Sequence, residues 1–244
     1  MVTTHTVSLN RNGEQLPIHR WIPEQPRAGV VVVQEIFGVS TYIRDRALDL
    51  AHAGYVVDVP ELYFRLEDPV VADDDPNLLN RGMELMNNTP WDQAVADVVS
   101  AVNNLKSSLG SLLGTAGNPD VAGNLGVVGF CYGGGLAYAA TAQTEATGTS
   151  PIDALVSYYG SALPTLLDLQ VNTPSLHHFG TADSFIPMDQ VEKIKAHVEP
   201  TGAQFYLYDG ADHAFDNTLE AFHHPQAAHQ AWQRSLEFLS IHLG

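Results

Sequence analysis

The sequence predicts one doubly wound α/β domain spanning residues 1–244, with a mostly parallel sheet flanked by helices. Three observations lead there. Short apolar runs of strand length alternate with segments of helical periodicity along the whole chain, the order that yields a parallel sheet covered on both faces. The Gly29–Gln34 stretch is a nearly continuous valine run, without the polar alternation of a half-exposed strand. No internal repeat or linker-like segment divides the 244 residues, a length suited to a single substantial core.

In chain order, Thr6–Asn10 and Gln15–Trp21 read as alternating strands joined at Asn12-Gly13, a strong hairpin signal. The valine strand follows. Tyr42–Ala53 has helical spacing and closes on Gly54, placed as a C-cap residue. Tyr55–Val59 is the next strand, halted by Pro60. Residues 61–75 are acidic and irregular, ending in Asp73-Asp74-Asp75, which reads as a solvated loop. Pro76–Asn88 and Trp91–Leu109 are helical, separated at Pro90, and Gly110–Asn124 is a small, polar loop. A strand from Gly126 opens a glycine-flanked turn and then a helix through Leu136–Ala140. Ile152–Tyr158, Ser175–Phe179 and Gln204–Tyr208 are strands; Asp189–Val198 and Pro225–His242 are helices.

Composition narrows the function. A formal net charge of -17 argues against nucleic acid and anionic membrane surfaces as partners, and its long-range field opposes anionic substrates. One cysteine makes no internal disulfide, which fits a reducing compartment. Residues 1–10 hold no apolar run of signal-peptide length and no run reaches transmembrane length, so a cytoplasmic protein is expected. Separately, a monomer is expected rather than an oligomer. There is no Gly-x-Gly-x-x-Gly, no phosphate-binding loop and no Gly-x-Ser-x-Gly. His177-His178 and His223-His224 lack the spacing of a zinc site, so no metal is expected.

The chemistry centres on Gly129-Phe130-Cys131-Tyr132-Gly133, a Gly-x-nucleophile-x-Gly turn between strand and helix. The flanking glycines permit the sharp turn, and the thiol stands at a helix N-terminus, where the macrodipole favours negative charge. The other reading is a buried structural cysteine. Functional groups in doubly wound sheets collect at the carboxyl ends of strands, and Glu35, Cys131, Asp183 and His213 all fall there. A nucleophilic thiol requires a base, and the base requires a carboxylate to orient it. Taken alone, Asp183 has a lesser reading as a helix cap and His213 a lesser one as a surface-loop histidine.

Four segments carry a more specific signal: Gln34-Glu35-Ile36-Phe37-Gly38, Gly129–Gly134, Gly180-x-x-Asp183 and Asp212-His213-x-Phe215. Together with Pro60-Glu61-Leu62-Tyr63 they resemble the dienelactone hydrolase family over essentially the whole chain. The resemblance implies an α/β-hydrolase fold without a cofactor, opening a small lactone or cleaving a small carboxylic ester. By it Cys131 is the nucleophile, His213 the base and Asp183 its orienter. Glu35 matches a carboxylate that holds the resting thiol, and the Ile36 and Tyr132 N–H groups match the oxyanion hole. Phe37, Tyr158, Phe215 and Asn217 are candidates for substrate contact. Asn217 stands where related enzymes carry a carboxylate-binding arginine, and Asp216 precedes it, which disfavours a carboxylated substrate; Arg65 and Arg81 are candidate replacements. Two other readings fit the same residues: a thioesterase or general carboxylesterase, and a catalytically silent binding protein.

Overall fold

A computed structural model describes residues 1–114, 123–148 and 150–244. It contains eight strands: β1 (Val2–Arg11), β2 (Glu14–Pro23), β3 (Ala28–Val33), β4 (Tyr55–Pro60), β5 (Leu125–Phe130), β6 (Ala154–Tyr158), β7 (Ser175–Gly180) and β8 (Gln204–Tyr208). The helices are α1 (Thr41–His52), α2 (Leu78–Asn87), α3 (Trp91–Leu112), α4 (Tyr132–Ala146), α5 (Met188–Val198) and α6 (Pro225–Leu243). The strands form one sheet in the order β1-β2-β4-β3-β5-β6-β7-β8. From β4 to β8 neighbours run parallel, whereas β2 is antiparallel to both β1 and β4.

The N-terminal hairpin is longer than the sequence reading gave it, because pairing runs through all ten residues of each strand. Its turn is built from two left-handed residues, Asn12 at φ 54° and Gly13 at φ 96°, which match the twist of the flanking strands. Every residue of β3, β4, β5 and β6 is buried, as the absence of alternation in the valine run requires. On one face, Leu105 and Leu109 of α3 pack on Gly29 of β3; on the other, Leu239 and Leu243 of α6 pack on Gly126 of β5. α1 lies with α6, joined by the Arg46 guanidinium 4.4 Å from the Trp232 ring centroid. Helix α3 runs on to Leu112, and most of the polar loop expected over 110–124 lies outside the described residues.

Chain order reverses at β3, whose neighbours are β4 on one side and β5 on the other. Ligands of doubly wound sheets bind beyond the carboxyl ends of strands at such a switch point. Val33 of β3 pairs with Gly129 of β5, so Glu35 and Cys131, each two residues further on, emerge side by side. Gly180 of β7 pairs with Tyr208 of β8, which brings the loops bearing Asp183 and His213 to the same edge.

Candidate active site

Cys131 sits between β5 and α4 at φ 55°, ψ −116°, a backbone conformation that side-chain-bearing residues rarely adopt. Its N–H donates to the Tyr158 carbonyl at 3.0 Å, and its own carbonyl accepts from Gly134 N at 3.0 Å and Ser161 N at 3.1 Å. These bonds hold a turn that the chain would otherwise relax. A Cβ at position 129 would lie 2.1 Å from the Gly133 carbonyl oxygen, and one at position 133 would lie 2.3 Å from the Val33 oxygen. Only glycine lets the backbone close up this far, which is the local reason for the motif.

The Cys131 Sγ is 3.1 Å from His213 Nε2, and His213 Nδ1 is 2.9 Å from Asp183 Oδ2. The other oxygen of Asp183 accepts the N–H groups of Phe185 at 2.9 Å and Ile186 at 2.8 Å, so the carboxylate both caps its own turn and orients the imidazole. Asp212 Oδ1 accepts from Ser184 N and His213 N, which ties the two loops together. The rings of Phe185 and Tyr159 lie 4.9 and 5.1 Å from the imidazole. Burial disfavours a charged His213, but the neighbouring Cys131 sulfur and the Asp183 carboxylate outweigh it and raise its pKa to about 10. Its partners therefore favour the charged, imidazolium form of His213.

Glu35 is buried beside this line. Its Oε1 accepts from Asn217 Nδ2 at 2.9 Å and from Ser40 Oγ at 3.4 Å. Burial lifts its pKa to about 8, against the lowering effect of the Asn217 hydrogen bond and the charge of His213. At neutral pH it is mostly a carboxylic acid, and the Cys131 thiol is engaged by His213 rather than by Glu35.

Above the thiol lies a cavity of about 630 Å³, lined by Glu35, Cys131 and His213 at its base and by α2, Trp91, Phe185 and Phe222 on its walls. Ile36 and Tyr132 line it as well. Tyr132 is the first residue of α4, so its N–H has no acceptor within the helix. Among the described residues, no group of three His, Cys, Asp or Glu side chains is arranged to hold a metal ion, and no helix is long and apolar enough to cross a membrane.

The family model of the dienelactone hydrolases matches residues 19–243. The chain belongs to the dienelactone hydrolase family. It is 30% identical to an Escherichia coli K12 protein described as "Putative carboxymethylenebutenolidase", with 97% of this chain and 86% of that protein covered. It is 29% identical to a carboxymethylenebutenolidase of Pseudomonas putida, over 88% of this chain and 86% of that one. Among solved structures, a protein described as "Putative Dienelactone Hydrolase" from Klebsiella pneumoniae superposes with a TM-score of 0.75 at 30% identity, covering 98% of this chain and 99% of the other. This dienelactone hydrolase relative therefore has the α/β-hydrolase fold in a single domain.

Within this family member, the structure brings Cys131, His213, Asp183 and Glu35 together, with Phe37 on the cavity wall. Tyr158, Phe215 and Asn217 stand behind that wall. Tyr158 is buried, with its hydroxyl 2.7 Å from Ser235 Oγ; Phe215 packs on Tyr159; Asn217 holds Glu35. Asp216 faces inward too, gripped by Arg46 at 2.7 and 3.0 Å and by the Tyr42 hydroxyl at 2.6 Å. Arg65 is committed to Asp97 and Glu14, and Arg81 reaches Asp68 at 3.9 Å. Sequence reasoning missed Ser40, Arg46 and the cavity face of α2. Ser40 alone left a signal, since a serine immediately before a helical run is an N-cap, and here its Oγ accepts from Ile43 N.

Proposed function

We propose that this hydrolase opens small lactones or cleaves small carboxylic esters through a Cys131 acyl-enzyme. The observation that carries the reading is the Cys131–His213–Asp183 line, at 3.1 and 2.9 Å, on the floor of an apolar cavity. The Cys131 thiolate attacks the carbonyl carbon, and the developing oxyanion takes hydrogen bonds from the Ile36 and Tyr132 N–H groups. Collapse breaks the C–O bond, and the His213 imidazolium protonates the departing alkoxide, which stays tethered to the acyl group when the substrate is a lactone. Neutral His213 then takes a proton from water, whose oxygen attacks the thioester and releases the acid and the thiol. Asp183 keeps the imidazole in one tautomer and stabilises its charged form.

Protonated Glu35, beside the thiol, adds no negative charge to disfavour the thiolate. No cofactor enters these steps, since nucleophile, base and acid are side chains of the chain. A thioesterase or general carboxylesterase would use the same groups. Incubation with a slowly deacylating aryl ester should give a single acyl adduct on Cys131 by intact-mass spectrometry. Cys131→Ala should lose both adduct and turnover while costing only about 1 kcal/mol in stability. Full activity in Cys131→Ala would refute the cysteine mechanism, and binding without adduct or product would indicate a silent ligand-binding protein.

A further inference from the structure

The cavity has an unbalanced chemistry. Among the described residues that line it, none is Lys or Arg, and the single carboxyl group is Glu35. One wall is the face of α2 formed by Leu79, Met83 and Met86, spaced as one helical stripe. Trp91, Phe185 and Phe222 complete an apolar surface around the mouth. Three of these side chains are unusually open: Leu79 is 43%, Met83 38% and Phe185 57% exposed. They are half of the six large hydrophobic residues exposed among the described residues, and all three border this one cavity. A concentration of exposed apolar groups at one opening marks a binding surface rather than chance scatter.

Helix α2 is also seated directly on the turn that follows β3. A Cβ at Gly82 would come within 2.8 Å of the Phe37 ring, so the helix lies flush against Ile36 and Phe37. The stripe and Cys131 line the same cavity. Among the described residues no lysine or arginine lines the cavity: Arg65 and Arg46 are held in ion pairs with Asp97 and Asp216, and Arg81 on α2 lies 3.9 Å from Asp68 outside it. The volume of about 630 Å³ is in the range that encloses a ligand well beyond the smallest lactone.

We infer that the substrates are uncharged esters or lactones bearing an extended apolar chain, which lies along α2 between Met83, Met86 and Trp91 and reaches the rim at Leu79 and Phe185. This rests on the esterase reading above and names its substrate class. Each methylene buried there should raise kcat/KM about fourfold until the wall is covered. A free carboxylate on that chain meets no lysine or arginine among the residues lining the cavity and faces a chain of net charge -17, so it should lower kcat/KM at least about tenfold.

The experiment uses the 244-residue chain and two ester series, one lengthened on the acyl side and one on the alcohol side, from two to eight carbons. Each long ester is paired with an analogue ending in a free carboxylate and with that analogue's methyl ester. Met83→Lys places a cation on the exposed part of the stripe. It should lower kcat/KM for the long neutral ester and raise it for the carboxylated one, with the gain shrinking as salt is added. A flat or falling chain-length profile in both series, with Cys131 still acylated, would overturn the inference while leaving the esterase reading intact. So would a preference of the unmodified protein for the free carboxylate. If no ester in either series acylates Cys131, the esterase reading fails and the inference falls with it.

Discussion

Arg46→Met should destabilise the protein through a group that touches no substrate. Asp216 is fully buried, and its two oxygens take Arg46 Nε at 2.7 Å, Arg46 Nη2 at 3.0 Å and the Tyr42 hydroxyl at 2.6 Å. Methionine keeps much of the apolar stem but removes both charge-assisted bonds, leaving a buried carboxylate with one phenol. Breaking a buried pair from one side typically costs about 3–5 kcal/mol. For a domain of this size that corresponds to a fall in Tm of roughly 6–20 °C. Arg46→Met with Asp216→Asn should recover much of the loss, since the stranded charge is gone. Burial already holds the Asp216 pKa above the usual carboxylate value against the lowering pull of Arg46. The folded protein thus keeps a proton that the unfolded chain has released, and stability falls as pH rises through that window. Without Arg46 the pKa rises further, so the variant's loss should be larger at pH 8 than at pH 5. Thermal unfolding of the single and double variants at the two pH values measures this. A single variant within about 2 °C of the parent, or a loss independent of pH, would refute the reasoning.

Other predictions follow from the site. His213→Ala and Asp183→Asn should each lower kcat strongly and combine with far less than multiplicative effect, because the histidine's orienter contributes little once the histidine is gone. Steady-state kinetics of both single variants and the double variant check this, and multiplicative losses would show the two residues uncoupled. Glu35 has its pKa raised from 4.5 to about 8, so the folded state retains its proton across that interval. Parent stability should decline with rising pH, with a slope on the order of 1 kcal/mol per pH unit from this group. Glu35→Gln should flatten that part of the curve in urea unfolding between pH 5 and 9, and an unchanged slope would mean that Glu35 is not the titrating group.

What could be read in advance was local. The elbow is legible because close backbone approach at Gly129 and Gly133 excludes any other residue, and that constraint stands in five consecutive letters. Asp183 and His213 are legible because each follows a strand directly, and parallel pairing of those strands brings the loops together. The strand order was not: alternating strands and helices say nothing of β4 lying outside β3, which is what sets the switch point beside Glu35 and Cys131. The Arg46–Asp216 pair was also hidden, since 170 positions separate the partners. Nor could the stripe at Leu79, Met83 and Met86 be told from the inward face of an ordinary amphipathic helix. Its face is recognised as a cavity wall only once α2 is seen resting on Phe37.

Asp216 shows how a correct charge count can mislead about a site. Its place beside Asn217, three residues after His213, invites the expectation of a negative charge facing the substrate. The backbone after His213 turns instead through Ala214 at φ 58°, and the next three side chains are buried away from the cavity. Asp216 is then paired with Arg46, and Asn217 spends its amide on Glu35. With Glu35 mostly protonated at neutral pH, the one carboxyl group of the wall adds little negative charge. Selection against a carboxylated substrate would therefore come from the missing cation and the cost of desolvating an anion, with the long-range field of the chain as the secondary influence. The two causes separate by ionic strength: added salt screens the field but leaves the desolvation cost in place. A preference for neutral esters that survives high salt would locate the discrimination in the cavity wall, and one that fades with salt would locate it in the acidic surface.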